Sequence, residues 1–134
     1  MDGDGDEISV AVERHCAAQH YSTLDFPFGD NPTVYKVGGR MFALLDQAGD
    51  PARLSVKLPP EVCLELRAQY PKTVLPGYHL NKIHWNTLLL DGVLDLCEVL
   101  ECVDQSYALV RAGLPGRVKA ALAATGNVEG GASA

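Results

Sequence analysis

No run of apolar residues in this chain approaches the roughly 18 needed to cross a membrane as a helix. The opening stretch, Met1-Asp-Gly-Asp-Gly-Asp-Glu7, has neither the basic segment nor the apolar segment of a secretory signal. A cytoplasmic, membrane-free protein is the expectation. Bases are scarce: eleven Lys and Arg stand against 17 Asp and Glu, a net charge of −6. That balance excludes a uniformly basic nucleic-acid binder, although a local basic patch remains open. Cysteine is sparse, and no two of Cys16, Cys63, Cys97 and Cys102 have CxxC spacing. Cys97 and Cys102 are five apart, on different helix faces. Buried, reduced thiols among apolar helical neighbours are expected, as usual in the cytosol. No Gly-rich phosphate loop followed by Lys-Ser/Thr occurs, and no GxSxG. Ser106 precedes Tyr107 on an expected helix without a pointed histidine partner. These absences predict a protein that is not an enzyme and carries no cofactor.

What is present is an ordinary globular composition: 134 residues, 47% of them apolar and 21% charged. That supports one domain with one core. Charge is uneven along the chain. Residues 1–35 carry one base and seven acids, residues 36–82 seven bases and four acids, and residues 83–134 three bases and six acids. The middle third is therefore the place for an anion-binding surface.

Hydrophobic spacing sets the expected elements. Residues 1–7 read as a flexible acidic leader, its carboxylates solvated rather than cation-binding. Ile8, Val12 and Cys16 repeat at helical spacing, which predicts a helix from Ile8 to His20. Leu24 to Pro32, containing Phe26-Pro-Phe-Gly29, reads as a loop. Val34–Val37 and Arg40–Leu45 flank Gly38-Gly39, the two-residue turn whose central positions need positive φ. Arg53–Leu58 alternates strictly, with Leu54, Val56 and Leu58 on one face. Pro60 suits the first position of a second helix, which Pro71 ends. Val74–Leu80 is a strand broken by Pro76-Gly77, and Trp85–Leu90 is another strand. Asp95, with Glu98 three residues on, caps a third helix. Asp104 is expected to cap a further helix, and Leu114-Pro115 to open a last one ending near Ala124. Residues 125–134 read as a disordered tail. The order α-βββ-α-ββ-ααα is an α+β domain over residues 8–124, with a mostly antiparallel sheet of about five strands covered by helices on one face.

Two groups of residues stand out. Lys36, Arg40, Arg53, Lys57 and Lys82 fall on strands or turn edges. Hairpins bearing such bases reach phosphates, with backbone N–H groups added at Gly38 and Gly39. The second group is His79, Asn81, His84, Trp85 and Asn86, a polar and aromatic cluster at a strand connection. Metal is not expected there, since a third ligand is not adjacent. Asn81 suits a turn, and Trp85 suits a core contact. Tyr35, Phe42, Tyr78 and Trp85 lie on or beside the sheet, as core residues or as surfaces on which a flat ligand stacks.

Taken together, Phe26-Pro-Phe-Gly-Asp30, Val34-Tyr-Lys-Val-Gly-Gly-Arg-Met-Phe-Ala-Leu44, Pro76-Gly-Tyr-His-Leu-Asn-Lys82, His84-Trp-Asn-Thr87 and Ser106-Tyr-Ala-Leu-Val110 resemble the MmcQ/YjbR family of small bacterial proteins. The resemblance spans Ile8 to Ala124. It implies a frataxin-like (CyaY-like) fold and DNA binding through a double wing of β-hairpins. The sequence departs from the family at Arg40, where Lys is usual, at Pro59, where Asp is usual, and at Gly116-Arg117, where two lysines are usual. The expected function is weak, salt-dependent binding of duplex DNA through the basic hairpins. The alternative is a small-molecule binding or resistance module for an antibiotic or metabolite, using the groove between helices and sheet.

Overall fold

A computed structural model describes the backbone of residues 3–133 and the side chains of residues 7–124. Four helices and six strands follow in the order α1 (Gly3–Ala17), β1 (Thr23–Asp25), β2 (Thr33–Val37), β3 (Arg40–Asp46), β4 (Arg53–Lys57), α2 (Pro60–Gln69), β5 (Val74–Pro76), β6 (Trp85–Leu89), α3 (Leu96–Ala112) and α4 (Gly116–Ser133). The strands form one antiparallel sheet in the order β1-β2-β3-β4-β6-β5. The chain is therefore α+β, as its patterning predicts.

Register assigns each strand residue to a face, because directly opposed residues share one. Leu45 opposes Leu54, which opposes Leu88, which opposes Val74. All four are buried, in one core with Val99 and Val103 of α3 and Cys63 of α2. The other face carries Leu44 opposite Ser55 and Ser55 opposite Thr87, with Asp46 opposite Arg53 beside them. Helices α2 and α3 pack against the sheet, and α1 packs on α3.

Between β2 and β3 the register slips. Tyr35 opposes Ala43 but Lys36 opposes Met41, which leaves Phe42 as the extra residue of a bulge. Phe42 consequently turns its ring inward, edge-on to Tyr107 of α3 at 5.3 Å. Pairing of β3 with β4 stops before Lys57. Ser106 of α3 fills the gap in the ladder: its Oγ donates to the Phe42 carbonyl at 2.5 Å and accepts from the Lys57 N–H at 2.8 Å. The buried hydroxyl thus has a structural role that its sequence neighbours do not disclose.

Several expectations need correction. β1 is a sixth strand where the sequence reads as loop; it is three residues long and wholly exposed, so it has no burial pattern to detect. Helix α3 does not break at Asp104, so two helices rather than three close the chain. The Asp104 carboxylate instead reaches α1 and the turn after it, meeting His15 Nε2 at 2.7 Å and accepting from Gln19 at 2.9 Å. Helix α1 starts at Gly3 rather than Ile8. Helix α4 continues past Ala124 to Ser133. The side chains of Asp2, Asp4 and Asp6 lie outside the described residues. All four cysteines are free, and Cys97 is exposed rather than buried. It sits on the solvent side of the turn that buries Val99.

The Gly-Gly turn is confirmed, with φ of +58° at Gly38 and +82° at Gly39. Asp95 caps α3 by accepting from the Glu98 N–H at 3.1 Å. Pro59 precedes α2 without a side-chain cap, as its departure from the family pattern predicts.

Candidate functional site: a cavity on the open face of the sheet

The sheet face away from the helices is not flat. Residues 26–32, between β1 and β2, and residues 77–84, between β5 and β6, rise beside it and enclose a cavity of about 340 Å³. Leu44, Ser55 and Thr87 form its floor, Phe28, Pro32, Tyr78, His79 and Leu80 its walls, and Asp46 and Arg53 its rim. Most of the lining is apolar. Phe28 and Tyr78 leave 71% and 60% of their surface to solvent, unusual for rings of this size.

The second loop is held by an arrangement that the sequence motif encodes. Gly77 donates its N–H to the Trp85 carbonyl at 2.9 Å. A Cβ at Gly77 would lie 2.8 Å from the Trp85 Cβ, so glycine is required there for close approach. Asn81 Oδ1 accepts from the N–H groups of Ile83 at 2.9 Å and His84 at 3.3 Å, an Asx-type turn. Lys82 Nζ donates to the Gly77 carbonyl at 2.8 Å and closes the loop on itself. Asn86 is fully buried on the helix side. Its Nδ2 donates to the Cys63 carbonyl at 3.2 Å, and its Oδ1 accepts from Arg67 Nε at 2.7 Å. The same guanidinium donates to the carbonyls of Lys82 and Trp85. Arg67 is thus the clamp that ties the loop to α2. Sequence reasoning missed it, because nothing local connects a helix-two arginine to residues 15 to 19 positions later.

Of the second sequence-predicted group, only His79 reaches the cavity. It adopts φ of +59°, a left-handed conformation uncommon outside glycine, and its ring lies 4.0 Å from that of Tyr78. Asn81 and Asn86 shape the loop, His84 is exposed, and Trp85 is half-buried. The cavity lies across the sheet from the helix–sheet groove that the sequence suggests; the core side chains occupy that other face.

The basic residues separate into two sets. Lys36 pairs with Asp25 at 3.1 Å, and that hydrogen bond holds the Asp25 carboxyl below the usual carboxylate range. Arg40 Nη1 donates to the Gly113 carbonyl at 3.1 Å. Gly38 sits so close to Leu114 and Val118 that the hairpin tip rests on the junction of α3 and α4. Lys82 is turned into its own loop. Arg53 and Lys57, both on the open face, have no carboxylate within ion-pair distance among the described residues. The Arg53 guanidinium lies over the Tyr78 ring, 5.6 Å from its centroid. No group of three or more His, Cys, Asp or Glu suited to a metal exists among the described residues. No helix among them is long and apolar enough to cross a membrane.

A family model described as YjbR matches residues 18–109. The chain belongs to the YjbR family. Every residue that lines the cavity falls inside the matched segment. The YbdF protein of Escherichia coli O157:H7 is 31% identical over 85% of this chain and 93% of its own length. The YjbR protein of Escherichia coli K12 is 39% identical over 56% of this chain and 63% of its own. Among solved structures, the Deinococcus radiodurans protein DR2400, described as a DUF419 domain, matches with a TM-score of 0.77. It is 40% identical over 84% of this chain and 85% of that one. A Pseudomonas syringae protein matches with a TM-score of 0.62 at 26% identity, over 75% of this chain and 97% of that one.

Proposed function

We propose that this YjbR-family chain is a non-enzymatic, cytoplasmic binding module that takes a small molecule in the cavity on the open face of its sheet. One observation carries this reading: two family motifs distant in sequence, Phe26–Asp30 and Pro76–Lys82, enclose the same apolar space. Exposed rings over a buried hydroxyl floor are the usual make-up of a ligand site, with much apolar wall and few, fixed polar groups. The loop of residues 77–84 is held by Arg67, Asn81 and Lys82, so that wall of the cavity is formed before a ligand arrives.

The test is a rise in melting temperature across a panel of flat aromatic fragments. A ligand at a hundred times its Kd stabilises the native state by about 2.7 kcal/mol. Leu44→Arg fills the cavity from its floor while leaving the buried face untouched, and removes the rise. A panel without effect, or an effect that survives Leu44→Arg, overturns the reading.

DNA contact through the double wing is the second reading, and the unpaired bases Arg53 and Lys57 favour it. Its signature is binding of a generic duplex that weakens steeply with salt, as phosphate neutralisation releases counterions. Salt-independent or absent binding refutes it.

A further inference from the structure

We infer that the ligand of this cavity is a planar aromatic acid, an inference that rests on the cavity being the binding site. The floor supplies the first constraint. Ser55 Oγ and Thr87 Oγ1 lie 2.8 Å apart, and Thr87 Oγ1 also accepts from the Tyr78 N–H at 3.0 Å. Both residues are almost fully buried, at 3% and 2% exposure. Two hydroxyls hold two protons, and their mutual bond uses only one. Whichever hydroxyl donates, one O–H is left over, and both residues line the cavity. The floor therefore asks for a hydrogen-bond acceptor.

Arg53 supplies the second. Its guanidinium stacks on Tyr78 and pairs with no carboxylate among the described residues. Asp46, its cross-strand neighbour, accepts from the Ala48 N–H at 3.0 Å instead. A guanidinium fixed against a ring presents its fork to a carboxylate in two parallel hydrogen bonds. The walls supply the third constraint, since Phe28, Tyr78 and Leu44 offer apolar surface that a flat ring covers.

The test uses 2-naphthoate and its neutral relative 2-naphthalenemethanol, titrated into the full chain by calorimetry and by amide shifts. A charge-assisted hydrogen bond contributes about 1.5–3 kcal/mol, or roughly ten- to a hundredfold in Kd. The naphthoate is expected to bind tighter than the alcohol by that factor. Arg53→Gln abolishes the preference for naphthoate over the alcohol, and Arg53→Lys, which keeps the charge without the fork, falls between. Equal affinity of the two probes, with cavity amides moving, overturns the acid and leaves the cavity reading standing. If neither probe moves the amides of Leu44, Ser55, Tyr78 and Thr87, both fall.

Discussion

Replacing Ser106 by Ala tests how the bulged sheet is held to α3. The hydroxyl has two bonds, to the Phe42 carbonyl and from the Lys57 N–H. The Phe42 end is buried, so its carbonyl is left without a partner and without water, at about 1–3 kcal/mol. The Lys57 end is only partly buried, and water recovers some of that bond, leaving about 1 kcal/mol. Alanine regains up to about 0.5 kcal/mol in helix propensity. The net loss is about 1.5–3.5 kcal/mol, a large share of the roughly 5–15 kcal/mol typical of a domain. Urea unfolding reads it directly. With a slope near the middle of the usual range, about 2 kcal/mol per molar, the midpoint falls by about 1–2 M at unchanged slope. Ser106→Cys, similar in size but a weaker donor, falls between. A loss below about 0.5 kcal/mol would show that the bulge needs no partner from α3, and the reasoning would fail.

Three further outcomes follow from the same geometry. Tyr35→Phe removes a hydroxyl that is buried with no partner among the described residues. Stability should hold or rise by up to about 1 kcal/mol in urea unfolding, whereas a loss above that means the hydroxyl is bonded. Arg67→Met cuts the clamp on residues 82–86, so hydrogen exchange at the amides of Gly77 and Trp85 should accelerate about tenfold or more, and an unchanged rate would show that the loop holds itself. In the native protein at pH 8 a thiol reagent should label one cysteine, Cys97, and all four only after denaturation. Burial pushes the Cys16 thiol up to about 12 and the Cys102 thiol up to about 11, and it raises Cys63 as well. These three therefore stay protonated and unreactive, and labelling of more than one in the native state contradicts that account.

The elements legible in the sequence are those whose cause is local. Gly38-Gly39 announces its turn because positive φ is a property of the residue, and Asp95 announces its helix because the capping bond spans three residues. Strict alternation over Arg53–Leu58 gave the right faces to Leu54, Val56 and Ser55. What was not legible depends on distant chain. Phe42 and Ala43 both face the core because a bulge cancels the alternation, and only register shows the bulge. Asp104 reads locally as a cap, but α1 and the turn after it bring His15 and Gln19 beside it. The candidate site was half legible: residues 76–87 stood out as unusual, but Asn81, Lys82 and Asn86 serve the loop's shape. The cavity also depends on Leu44 and Ser55, ordinary residues until three strands and two loops bring them together, and on Arg53, which the sequence offers for phosphate contact rather than for this space.

The most direct test of the central claim is an amide chemical-shift map of the full chain, titrated separately with 2-naphthoate and with a generic DNA duplex at low salt. The account predicts that naphthoate moves Leu44, Ser55, Tyr78 and Thr87, on the open face, and leaves Gly38 and Gly39 still. Shifts confined to the Gly38-Gly39 hairpin with DNA, and none at the cavity with naphthoate, would contradict it.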